Sequence, residues 1–125
     1  MSTDITGWIE VKRNNYWFGV VRINVLLQRN YPMFDFLFGG RSQDYAGALA
    51  GKRGIPEDRS IEVKDGWGDG DGIAGTWMSW SELKSVDWEK HTSILTNDWK
   101  RLFELMHLLS EWDNVEDVRL VVDFF

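Results

Sequence analysis

Hydrophobic and polar positions alternate from Trp8 to Lys12 and resume, richer in aromatic and β-branched side chains, from Tyr16 to Leu27, with Arg13, Asn14 and Asn15 between the two runs. Period-two alternation interrupted by turn residues predicts a β-hairpin. Within the second run Phe18 and Val20 share one parity, Val21, Ile23 and Val25 share the other, and Gly19 lies near the switch. A bulge there, or a strand buried on both faces, accounts for the change. Asn30-Tyr31-Pro32 then opens a short apolar helix that Gly39-Gly40 stops, because proline suits the first helical turn and glycine the end. Met33, Phe34, Phe36, Leu37 and Phe38 are its expected core residues.

From Arg41 to Ser60 the chain is small and polar, with Gly47, Gly51, Gly54 and Pro56, and reads as a shaped loop with a turn of helix at most. Long loops are uncommon in small domains and more often functional than decorative, so this one receives weight. Ile61 and Val63 alternate with Glu62 and Lys64, which predicts a brief strand, and Asp65 to Gly75 reads as a mobile acidic loop. Ser79 or Ser81 suits the cap of a short helix through Leu83 and Val86, with Glu82 in capping-box spacing from Ser79. The strongest helical period runs from Asn97 to Trp112, carried by Trp99, Leu102, Phe103, Met106 and Leu109, and Val118 to Phe125 alternates as a closing strand. The expected fold is a single α+β domain over residues 1–125: an antiparallel sheet of three or four strands, built from the N-terminal hairpin and the C-terminal strand, with helices on one face.

Charge changes the picture more than composition does. The formal net charge is −6, but residues 22–59 carry six basic against four acidic side chains, whereas residues 60–125 carry six against fourteen. General duplex nucleic-acid binding is disfavoured, because phosphate neutralisation needs a broad excess of Lys and Arg. A small anion needs only a few cations. The central segment supplies Arg22, Arg29, Arg41, Lys52, Arg53 and Arg59, and guanidinium groups suit bidentate contacts to phosphate or carboxylate. With no cysteine in the chain, a disulfide framework, a thiolate metal site and a cysteine nucleophile are excluded, and a reducing, cytoplasmic setting is expected. No window approaches the ~18 apolar residues of a membrane span, and the amino terminus lacks a basic run followed by an apolar stretch. Neither membrane insertion nor secretion is expected.

Candidate catalytic and metal motifs fail on spacing. Asp65 to Gly72 suggests a calcium loop, but counting from Asp65 puts Trp67 at the third position and Thr76 where a bidentate Glu belongs. His91 and His107 lack metal-ligand spacing, no nucleophile elbow surrounds Ser60, and the neighbouring carboxylates of Glu57 and Asp58 point apart on an extended loop. No cofactor is implied, and a non-enzymatic role is expected. The eight tryptophans remain, and an exposed ring beside the arginines is a stacking platform for a flat ligand. The residues read as ligand-binding are Arg29, Tyr31, Arg41, Tyr45, Arg53, Arg59, Ser60, Trp77 and Trp80.

Four stretches carry a family resemblance: Gln28-Arg-Asn-Tyr-Pro-Met-Phe with Leu37-Phe-Gly, Arg53-Gly-Ile-Pro-Glu-Asp-Arg-Ser60, Ser79-Trp-Ser-Glu-Leu83, and Asp117-Val-Arg-Leu-Val. Together they resemble a family of small, largely uncharacterised proteins of bacteriophages, prophages and bacteria, over most of residues 7–122. The resemblance implies a phage-associated context and no particular activity. Two functions follow as expectations. One is capture of a small anionic, nucleotide-like ligand such as a host anti-phage defence signal. The other is inhibition of a host defence or nucleic-acid-handling protein through the acidic second half. Beside these two, self-association into a homo-oligomer through exposed aromatics is also expected of a structural role.

Overall fold

The computed structural model describes residues 2–67 and 75–125. The hairpin forms as its alternation predicts: β1 (Ile5–Arg13) and β2 (Tyr16–Arg22) run antiparallel and are joined at Asn14 and Asn15. Both asparagines take positive φ, 52° and 67°, which a two-residue turn of the primed type demands and asparagine tolerates. Ile9 faces Val21 but Glu10 faces Gly19, so Val20 is the extra residue of a bulge. β2 ends at Arg22, short of the predicted Leu27, because Ile23–Val25 winds into a 3₁₀ turn that buries Ile23. Asn24 Oδ1 in that turn accepts from the Gly7 N–H of β1 at 3.0 Å.

α1 (Tyr31–Phe38) starts where Asn30 Oδ1 accepts from Met33 N–H and stops at Gly39, whose φ of 68° is left-handed. Residues 41–60 form a loop of turns, as expected. The brief strand predicted at Ile61 to Lys64 is instead the start of a helix, α2 (Ile61–Trp67). Ser60 explains the difference: its Oγ accepts from Val63 N–H at 3.3 Å and its carbonyl from Lys64 N–H at 3.0 Å. The apparent alternation misled because Ile61 is 66% exposed and only Val63 turns inward. Of the Asp/Gly-rich stretch 65–75, Asp65 and Gly66 belong to α2, and residues 68–74, with the calcium reading, lie outside the described residues.

β3 (Thr76–Ser79) runs into α3 (Trp80–Ser85), and Ser79 and Glu82 form the reciprocal capping box that their spacing predicts. α4 (Asn97–Ser110) buries Trp99, Leu102, Phe103 and Met106, and β4 (Asp117–Phe124) closes the chain. All pairings are antiparallel in the order β2-β1-β4-β3, so the last strand lies between the first and third. Ile5, Ile9, Val11, Met78, Val118, Leu120, Val122 and Phe124 make one apolar face, which joins α1, α3 and α4 in the main core. Phe34 and Phe38 meet the Phe124 ring, with centroids 5.2 and 5.9 Å away.

The α+β architecture and its helix-covered face follow the sequence reading. A further cover lies on the opposite face, where α2 packs across β2 and β1. Gly19 permits that approach, since a Cβ there would lie 2.7 Å from Glu62 Cβ and 3.1 Å from the Trp8 ring. Among the described residues, no helix is long and apolar enough to cross a membrane.

Candidate functional site

The face of the sheet away from the main core carries Trp8, Glu10 and Lys12 of β1, Trp17 and Gly19 of β2, Arg119 and Val121 of β4, and Trp77 and Ser79 of β3. Glu10 and Arg119 are direct cross-strand partners, with Ser79 on the far side of Arg119. Covered by α2 and the loop that precedes it, Glu10 is fully buried and Arg119 is 5% exposed. The Arg119 Nε donates to Glu10 Oε1 at 2.6 Å, and Glu10 Oε2 accepts from the Ser60 N–H at 2.6 Å. The carboxylate is thus held on both oxygens.

The rest of the guanidinium faces the loop. Its Nη1 donates to Asp58 Oδ1 at 3.1 Å, and Trp17 Nε1 donates to Asp58 Oδ2 at 3.1 Å. The Arg119 guanidinium carbon lies 3.8 Å from the Trp17 ring centroid and 6.0 Å from that of Trp77. Burial works to raise the Asp58 pKa, but the Arg119 charge, with hydrogen bonds from Arg119 and Trp17, holds it below the ordinary value. Among the described residues, Arg119 Nη2 is buried without a hydrogen-bond partner. Trp80 Nε1 and Trp99 Nε1 share that condition. They are single indole donors in aromatic surroundings, whereas Nη2 belongs to a full charge and is the more costly to leave unsatisfied.

Arg53 extends this cluster across β3. Its guanidinium carbon lies 4.9 Å from the Trp77 ring centroid, Nη1 donates to the Trp77 carbonyl at 3.3 Å, and both terminal nitrogens hold Glu82 at 2.8 and 2.7 Å. Those hydrogen bonds from Arg53, with the Ser79 donors, outweigh partial burial and lower the Glu82 pKa to about 2.

The nine residues singled out in the sequence do not form one hollow. Arg53, Arg59, Ser60 and Trp77 lie on or beside the Arg119 cluster; Arg59 turns its Nη1 back to the Pro56 carbonyl at 3.3 Å. Arg29, Tyr31 and Arg41 gather near the amino terminus, where Arg29 binds Asp4 at 2.7 Å and Arg41 stacks 4.8 Å from the Tyr31 ring centroid. Tyr45 carries the Lys52 ammonium over its ring, and Trp80 packs into the core beside Phe103. Glu10, Trp17 and Arg119 are absent from the ligand-binding residues read from the sequence, where Arg119 and Asp58 stood only within the motif stretches 117–121 and 53–60 and Asp58 as a carboxylate set aside. A signal existed: Glu10 and Arg119 are opposite charges inside alternating strands, each on the parity opposite the apolar residues.

A separate apolar groove of about 410 Å³, lined by Val11, Phe18, Val20, Leu109 and Trp112, lies on the helical face and shares no residue with the charged cluster. Arg13 and the Trp112 indole are the side-chain donors of its lining, with no convergent set to orient an anion, so the Arg119 cluster is the better candidate. Among the described residues, no group of three His, Asp or Glu side chains is placed to hold a metal ion. Comparison with protein-family models, curated proteins and solved structures returned no match.

Proposed function

We propose that this is a non-enzymatic, phage-associated binding protein that captures a small anionic, nucleotide-like ligand, such as a host defence signal, on the face formed by Arg119, Trp17, Trp77 and Arg53. The observation that carries this reading is the Arg119 guanidinium, buried against the Trp17 ring with one terminal nitrogen unpartnered among the described residues. A buried ion pair adds little net stability over a well-packed apolar pair, so stability alone is a weak reason for Glu10 and Arg119 to occupy the middle of a sheet. Recognition is a better one: in a desolvated setting, charge-assisted bonds to an oxyanion are strong and directional. Aromatic faces beside it suit a base, with stacking worth ~1–3 kcal/mol. The phage context comes from the four motif stretches.

Thermal shift and calorimetry across mono-, di- and cyclic nucleotides test this. A ligand at about a hundred times its Kd stabilises the fold by about 2.7 kcal/mol, an easily read rise in Tm. Arg53→Ala should abolish most of that rise, and silence across the whole set with pure protein removes the proposal. The second reading, a protein-binding inhibitor, draws on the exposed acidic side chains Glu104 within α4 and Glu111, Asp113, Glu116 and Asp117 beyond its end. An interface there would survive Arg53→Ala, whereas ligand capture would not.

A further inference from the structure

We infer that Asp58 is a built-in occupant of the position where a phosphoryl group of the captured ligand binds, and that it leaves when the ligand arrives. The inference rests on the proposed capture and adds to it the subsite, the chemical group it takes and the competitor it displaces.

The division of labour around Arg119 is the starting point. Glu10, fully buried, already neutralises the guanidinium through Nε and is itself fixed by Ser60. Asp58 brings a second negative charge to a cation that has its counter-ion. Its side chain is 67% exposed, on the loop, in contrast to the 0% of Glu10. Two donors from different strands, Arg119 Nη1 of β4 and Trp17 Nε1 of β2, converge on its two oxygens at 3.1 Å each. That is the arrangement an external oxyanion requires, filled by a residue that solvent reaches.

Asp58 fills it incompletely, because Arg119 Nη2 has no hydrogen-bond partner among the described residues. A planar carboxylate offers two oxygens, and both are used. A tetrahedral phosphoryl group offers three, and can answer Nη1, Nη2 and the Trp17 N–H together. The two anions cannot share the site, since Arg119 Nη1 and the Trp17 N–H cannot each serve both at once and like charges at contact distance repel. Ser60 stays with Glu10, so the movement needed is confined to the loop residues before it.

Calorimetry of the wild-type chain and three variants, Asp58→Ala, Asp58→Asn and Glu57→Ala, against inorganic phosphate, AMP and adenosine tests this. Asp58 is exposed and outside the core, so its variants should keep the wild-type circular dichroism. Removing the competitor should tighten phosphate and AMP at least tenfold in Asp58→Ala and in the same direction in Asp58→Asn. Glu57→Ala, which makes the same charge change next door, should alter affinity less than twofold, and adenosine should respond to none of the three. If the wild-type chain binds AMP and Asp58→Ala binds it equally or more weakly, Asp58 is a ligand contact or a bystander; the inference falls while capture stands. Equal tightening by Glu57→Ala reduces the effect to general charge and also overturns it. Should no chain bind either phosphate probe, the inference and the proposed capture of nucleotides at this face fall together. Phosphate tightening without any gain from the nucleoside supports the subsite and removes the base from the recognised group.

Discussion

Glu10 and Arg119 show how little a residue's type says until its cover is known. Separately, each is a charge in an alternating strand, which is the ordinary pattern of a solvated sheet face. Together and buried, with a 2.6 Å bond between them, they are coupled. Glu10→Ala should cost about 3–5 kcal/mol in urea unfolding, because it removes the fully buried counter-ion of Arg119 and the acceptor of the Ser60 N–H, leaving the guanidinium only the exposed Asp58. Replacing the pair together, Glu10→Leu with Arg119→Met, should recover most of that loss. A single-variant loss below about 1 kcal/mol would show that Asp58 or water suffices for Arg119 and that its bond to Glu10 matters little to the fold. The double variant should nevertheless lose ligand response, separating stability from recognition.

At the level of elements, local chemistry was legible wherever a few neighbouring residues decide the outcome. Asn14-Asn15 specified the hairpin turn, Asn30 and Gly39 bounded α1, and Ser79 with Glu82 specified the start of α3. Ile61 to Lys64 was misread because two apolar residues two apart match the period of a strand, whereas here they lie on opposite sides of a helix that the preceding Ser60 cap starts. The α3 cap also makes a prediction. Glu82 holds the Ser79 N–H and the Arg53 guanidinium, and its pKa falls from an ordinary 4.5 to about 2. A carboxylate depressed in the folded state contributes stability that is present above its unfolded pKa and is lost as the pH falls through the folded value. Thermal unfolding should therefore weaken between about pH 4.5 and 2 in the wild-type chain. Glu82→Gln retains the capping geometry without the charge, so its Tm should fall less across that window; identical pH profiles would remove Glu82 from acid sensitivity. Because Glu82 is partly exposed, the difference should be modest, about 1 kcal/mol or less.

For the whole molecule, the decisive feature is that β4 is last in sequence and interior in the sheet, bonded to β1 on one side and β3 on the other. Its residues from Val118 to Phe124 are all buried. Deleting residues 117–125 should therefore leave no folded remnant: β1 and β3 lose their common partner and α4 loses the surface it covers. Circular dichroism and limited proteolysis of the truncated chain read this directly, and a cooperative unfolding transition in it would contradict the central role given to β4.

What the amino-acid sequence determined alone is the set of local elements whose information lies within a few residues: the hairpin, the capped ends of α1 and α3, the apolar stripe of α4, and the α+β class that these imply; the bulge near Gly19 stood beside a doubly buried strand until the register decided it. It also marked Arg53, Ser60 and Trp77 as worth attention. Only the tertiary structure decided which strands are neighbours, that the second face of the sheet is covered, and that Glu10 meets Arg119 across 109 positions of chain. The reason is physical: turns, caps and periodicity are satisfied by groups close in sequence, whereas burial of a charge depends on what distant chain comes to lie over it. The same alternation is written whether water or a loop bearing Asp58 covers the strand.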